Sequence, residues 1–164
     1  MGQITMFLAI LVQNDGNILI SGYFTFYNGY PRNSIARIDS SGTLDDSFQP
    51  MDGTDNYISL MSIQSDGKII IAGSFSVYNG NPCNNIARIG SDGSFDDSFN
   101  AGTGSDSNII SMAIQSDGKI VIGGQFLSFN GVLRSHMARL NTDGSIDASY
   151  LGQFDYAVRA ILMD

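Results

Sequence analysis

Ser65 to Arg88 reads SDGKIIIAGSFSVYNGNPCNNIAR, and the chain contains closely similar stretches twice more. Asn14 to Arg37 reads NDGNILISGYFTFYNGYPRNSIAR, and Ser116 to Arg139 reads SDGKIVIGGQFLSFNGVLRSHMAR, at successive offsets of 51 residues without a gap. An Asp-Gly pair opens the stretch between two apolar runs. That is hairpin chemistry, because the turn needs positive φ where glycine meets no Cβ penalty. The next run, Ile18 to Phe24 with its copies Ile69 to Phe75 and Ile120 to Phe126, starts with three β-branched or leucine residues. Continuous apolar character predicts a strand buried on both faces. Its fifth residue is Gly22, Gly73 or Gly124, which predicts close approach of another backbone. Asn-Gly then marks a loop at Tyr27 to Gly29, Tyr78 to Gly80 and Phe129 to Gly131.

Outward from this stretch the repeat continues in both directions. Upstream, Ile4 to Val12 stands in register with Asp55 to Ile63 and Asp106 to Ile114, and these read as first strands. Downstream, a third strand alternates over Ser34 to Ile38, Asn85 to Ile89 and His136 to Leu140. A glycine turn leads to a fourth, Thr43 to Phe48, Ser94 to Phe99 and Ser145 to Tyr150. No segment holds a helical period. The chain divides into units at 1–51, 52–102 and 103–151. Residues 152–164 place Val158, Ala160 and Met163 where Ile109, Ser111 and Ile114 stand, as the first strand of a fourth unit. The expected fold is all-β: three four-stranded antiparallel propeller blades plus one extra first strand. One small twisted sheet cannot bury both faces alone, so blades stack around an axis. Because propellers have about four to eight blades, three do not close a ring. The arc is expected to be completed by oligomerisation or by a larger chain.

Taken together and in order, the elements DGKI, GxF, NG, IAR and DGS followed by an apolar residue and Asp resemble the delta-60 repeat of bacterial β-propeller proteins, over essentially the whole chain. That resemblance implies a propeller and a setting outside the cell, at a cell surface or on a virion, since related repeats occur in secreted, phage and adhesin-like proteins. It implies no single ligand. The sequence departs from the pattern in having few repeats, and in Asn17 where the other turns have Lys68 and Lys119.

Composition narrows the function classes. Lys plus Arg is 8 against 16 for Asp plus Glu, a formal charge of −8. This disfavours nucleic acid and anionic membranes as partners. The run Ile4 to Val12 is too short to span a bilayer, and it lacks the basic flank and cleavage site of a signal peptide. Met1-Gly2 lacks the serine or threonine of a myristoylation site. Cys83 is the only cysteine and His136 the only histidine, so neither an intrachain disulfide nor a zinc cluster can form. Cys83 reads as an incidental loop residue, because Arg32 and Arg134 stand in its place elsewhere.

Three constellations recur. Arg37, Arg88 and Arg139 each precede Asp45, Asp96 and Asp147 by eight residues across a turn, and predict structural ion pairs. The neighbouring carboxylates Asp45-Asp46 and Asp96-Asp97 point to opposite faces of a strand and do not form an acid–base pair. Tyr27-Asn28, Tyr78-Asn79 and Phe129-Asn130 are the candidate ligand-binding residues. Repeated aromatic–amide pairs can stack on and hydrogen-bond a sugar, and the competing reading packs the aromatics between blades. The Asp-Gly turns offer calcium only single carboxylates, so no cofactor is expected. Nothing resembles a nucleophile motif or a phosphate loop. The reading is a non-enzymatic propeller module in adhesion or assembly, with a protein partner or self-association completing the ring. The alternatives are a repetitive lectin-like propeller that binds glycans and a fragment of a larger propeller enzyme.

Overall fold

The computed structural model describes residues 6–163, so Ile4, Thr5, the Met1-Gly2 pair and Asp164 lie outside the described residues. Three units follow one plan. The first contains β1 (Met6–Val12), β2 (Ile18–Tyr23), β3 (Phe26–Tyr27), β4 (Tyr30–Pro31) and β5 (Ile35–Ile38). The second contains β6 (Ile58–Ile63), β7 (Ile69–Gly73), β8 (Val77–Tyr78), β9 (Asn81–Pro82) and β10 (Ile86–Ile89). The third contains β11 (Ile109–Ile114), β12 (Ile120–Gly124), β13 (Ser128–Phe129), β14 (Val132–Leu133) and β15 (Met137–Leu140). In each, the second strand is the centre of a three-stranded antiparallel sheet, in the orders β1-β2-β5, β6-β7-β10 and β11-β12-β15. The turn glycines Gly16, Gly67 and Gly118 have φ of 87°, 84° and 83°.

The loop expected at Asn28-Gly29 is a small hairpin, β3 pairing β4. Both turn residues have positive φ, 47° and 87°, which gives the primed turn that matches strand twist. Gly22, Gly73 and Gly124 sit against a bulge in the first strand. A Cβ there would run into the main chain at Met6 O, Tyr57 O and Asn108 O respectively.

Two expectations need correction. The fourth strand is a single bridge, Ile38 to Leu44, Ile89 to Phe95 and Leu140 to Ile146. It stops because Asp45 Oδ1 accepts from Ser47 N and Ser47 Oγ at 2.8 and 2.6 Å, which bends the chain into a local turn. Asp96 and Asp147 do the same with Ser98 and Ser149. The tail forms no strand over 152–163, where it pairs with no other strand among the described residues. It nevertheless docks in register. Phe154 N donates to Ser135 O at 3.1 Å, as Ser105 N does to Asn84 O one unit earlier. Ser111 Oγ donates to Val158 O at 3.0 Å, and Val158 fills the hollow over Gly123.

Strand alternation sends one set of side chains to each side of a blade. Leu19 and Ile35 of blade 1 pack with Ile58, Ile69, Ile71, Phe75, Tyr78 and Ile89 of blade 2. Ile70, Ala72 and Ile86 of blade 2 pack with Ile109, Ile120, Ile122, Phe126 and Leu140 of blade 3. On the far side of blade 1, Ile20, Phe24 and Ala36 gather Ile18, Tyr27, Ile38 and Leu44 into a third cluster that, among the described residues, no other blade covers. The arc is therefore open.

Candidate functional site

The ion pairs form in all three blades, and they belong to larger clamps. Arg37 Nε meets Asp45 Oδ2 at 2.7 Å, Arg88 Nε meets Asp96 Oδ2 at 2.7 Å, and Arg139 Nε meets Asp147 Oδ2 at 2.9 Å. Nη2 of each arginine donates to the serine two residues past the aspartate, Ser47, Ser98 or Ser149. Each guanidinium lies over the next aromatic ring, 5.1 Å from Phe48, 5.1 Å from Phe99 and 4.9 Å from Tyr150. Lys68 and Lys119 add a second cation to Asp96 and Asp147 at 2.8 Å, where blade 1 has only Asn17.

The electrostatics follow from these partners. The Ser47 hydroxyl, helped by Arg37, holds the Asp45 carboxyl below the usual range despite burial. At Asp96 burial pushes upward, but Lys68, Ser98 and Arg88 together outweigh it and hold the carboxyl far below. Lys119 and Ser149, with Arg139, do the same for Asp147. All three are ionised at neutral pH and bound on several sides, which suits holding rather than proton transfer.

The third arginine nitrogen reaches out of the blade. Arg37 Nη1 donates to Ser91 O at 2.6 Å, and Arg88 Nη1 donates to Thr142 O at 2.7 Å. Both carbonyls belong to the turn of the next blade. Beside them, Gln49 N donates to Asp92 O and Asn100 N to Asp143 O, at 2.7 and 2.6 Å. Sequence reasoning missed this reach, because the partners lie 54 residues apart.

The aromatic–amide pairs are placed differently from the sugar-binding expectation. Tyr78 and Phe129 are 0% exposed in the interblade cores, and Tyr27 is half-buried, so the first two rings offer no face to a ligand. Tyr78 Oη donates to Gly93 O at 2.6 Å and Tyr27 Oη to Gly42 O at 2.8 Å. Asn79 and Asn130 bind the connector from the preceding blade: Asn79 Oδ1 accepts from Gly53 N and Asn130 Oδ1 from Thr103 N. Asn28 is exposed, and the equivalent connector falls outside the described residues. Cys83 is buried in the blade 1–2 core, not an idle loop residue, and burial pushes its thiol up to about 11. Such a thiol is unreactive at neutral pH.

Clefts recur between blades on one rim, the first with a mainly apolar wall that includes Phe24 and the second mainly polar. The first, of about 280 Å³, is lined by Tyr23, Asn33, Ser34, Asp55 and Asn56. The second, of about 390 Å³, is lined by Asp55, Ser74, Asn84, Asn85, Ser105 and Asp106. Tyr23 and Tyr57 meet nearby, their rings tilted by 40° with centres 4.5 Å apart. Asp55 and Asp106 each accept from two backbone amides and a serine, which keeps them ionised against partial burial. The repeat alignment reads Asp55 and Asp106 as the starts of first strands and Ser34 and Asn85 as the starts of third strands, and does not single them out as cleft residues. Gln13, Gln64 and Gln115, also equivalent, keep a buried Oε1 without a hydrogen-bond partner among the described residues. Among those residues no three of His, Cys, Asp or Glu converge as a metal site, and no helix is long and apolar enough to cross a membrane.

No curated protein matches the chain. A family model described as "Domain of unknown function (DUF5122) beta-propeller" matches three times, at residues 13–48, 64–99 and 115–150. Each match runs from just before the Asp-Gly turn to the aromatic ring under the clamp arginine. Together they cover more than half of the chain, one to each blade, so the chain belongs to the DUF5122 β-propeller family.

Proposed function

We propose that this chain is a non-enzymatic binding and structural module of a secreted, cell-surface or virion protein, working in adhesion or assembly without a cofactor. The observation that carries this reading is the open arc. Blade 1 leaves the cluster of Ile18, Ile20, Phe24, Tyr27, Ile38 and Leu44 without a neighbour, while the equivalent Ile69, Ile71, Phe75, Tyr78 and Ile89 are buried against one. The repeated polar groups favour the same reading, because they are committed to holding blades together. Sedimentation velocity across a range of protein concentrations tests it. Self-association supports assembly, and a concentration-independent monomer overturns it.

A second reading, carbohydrate binding, is favoured by the recurrence of the clefts, one per blade junction, each of which sets amides, serines and a carboxylate beside an aromatic ring. Weak sites repeated along one rim gain affinity by multivalency. Glycan-array binding lost on Asn84→Ala would support it, and silence across the array would remove it.

A further inference from the structure

The tail and the first strand of the chain carry the same words. Ala160-Ile161-Leu162 repeats Ala9-Ile10-Leu11, and the alignment that joins them places Val158 over Phe7 and Met163 over Val12. The tail lies on blade 3 as a first strand lies on the blade before it, with the same backbone bond to the preceding loop. Its outward edge makes no ladder, and Tyr156 and Leu162 are 85% and 92% exposed. β1 does have a ladder, with Ile10 facing Ile20, Leu11 facing Leu19 and Val12 facing Ile18. Yet β1 leaves Phe7, Ile10 and Val12 exposed on a side where no blade lies. The chain thus holds a docked strand without a sheet, and a sheet whose first strand has nothing to dock on.

The two open sides also match in polar chemistry. Among the described residues, Arg139 Nη1 and Leu151 N have no next-blade carbonyl, though Arg37, Arg88, Gln49 and Asn100 each have one. Correspondingly, the Arg139 side chain is 22% exposed where those of Arg37 and Arg88 are 10% and 9%. The carbonyls that would receive these two donors belong, by the repeat, to Ser40 and Ser41. Both residues are exposed in the turn of blade 1. On the apolar side, Val121, Met137 and Tyr150 of blade 3 stand where Leu19, Ile35 and Phe48 of blade 1 cover blade 2.

From this complementarity we infer that a second copy of the chain seats its blade 1 on blade 3, with residues 157–163 pairing with the partner copy's second strand in place of its first. Repeated by two-fold symmetry, the exchange gives a six-bladed ring in which each tail supplies the inner strand of a blade in the other copy. The partner is a second copy because each side fits the other side of this same chain, residue for residue. The inference deepens the assembly reading and rests on it.

Mixing Met163→Cys protein with Ile18→Cys protein under mild oxidation tests the exchange. Val12 pairs with Ile18 within a blade, so Met163 in the place of Val12 is expected beside Ile18 of the other copy. A covalent dimer in the mixture, and in neither protein alone, is the expected result. Leu162→Pro is the second test, because this exposed residue joins no ladder in the single chain and proline removes a ladder donor. It is expected to weaken dimerisation at least about tenfold, equivalent to ~1.4 kcal/mol, with the monomer's melting temperature unchanged. A dimer that forms no mixed disulfide and ignores Leu162→Pro overturns the exchange and leaves self-assembly standing. A chain that stays monomeric overturns both.

Discussion

Arg88 and Arg139 occupy the same place in repeated blades, yet they hold different things together. Each pairs with an aspartate, a serine and an aromatic ring of its own blade. Arg88 in addition ties Thr142 of the next blade, while Arg139 is more exposed and ends within its own blade. The comparison separates two contributions that the repeat fuses: fastening the blade's last turn, and fastening one blade to the next. Only the second depends on having a neighbour.

The largest expected effect is on Arg88→Ala. It leaves the mostly buried Asp96 with Lys68 as its one remaining cation and removes the bond to Thr142, for a loss of about 2 kcal/mol in chemical denaturation, below the cost of leaving a buried charge wholly unpaired. Arg139→Ala should cost less than half as much, because Arg139 is the more exposed arginine and joins no second blade, while Lys119 still holds the buried Asp147. Equal losses would break the comparison. Next comes the buried tyrosine. Tyr78→Phe deletes the hydroxyl bond to Gly93 O and leaves that acceptor buried, so about 1 kcal/mol should be lost. Tyr27→Phe, on the open side, should cost less than half as much by the same measurement.

Acid gives a third handle. Asp45, Asp96 and Asp147 all titrate below the ordinary aspartate value in the folded chain. The stability they contribute is therefore complete above about pH 4, the unfolded value, and is lost as pH falls through the lower folded values. Melting temperature should stay flat from pH 7 to about 5 and decline below about 4, with a shallower decline in Arg88→Ala. The smallest effect belongs to Asn17→Lys, which gives Asp45 the second cation that Lys68 and Lys119 supply elsewhere. Partial exposure limits it to a gain of about 0.5 kcal/mol in thermal unfolding.

The 51-residue offset made the blades, the turn glycines and the Arg–Asp pairs readable, because all of them are local or recur within a unit. Three things were not. The fourth strand looked long enough in its residue pattern, but the Asp45 carboxylate prefers its own Ser47, a competition of side chain with ladder that the pattern does not rank. Tyr27 and Tyr78 lie in matching motifs and differ in burial, since burial depends on position in the stack and not on the repeat. The Nη1 reach joins residues in successive units, so an alignment of units against one another hides it. The same limit applies to the clefts, whose walls come from two blades each.

The stacked apolar clusters have a consequence for how the molecule opens. Each blade's own ladders close over short hairpins, whereas the cores between blades join only nearest neighbours. Such an array behaves as a one-dimensional chain of coupled units, in which ends fray before the middle. Amide exchange should therefore be slowest in β7 and β10, faster in β2 and β12, and fastest past residue 152. Anything that clasps either end would slow exchange in a graded way toward the centre, so that a contact at blade 1 is felt in blade 2 before it is felt in blade 3.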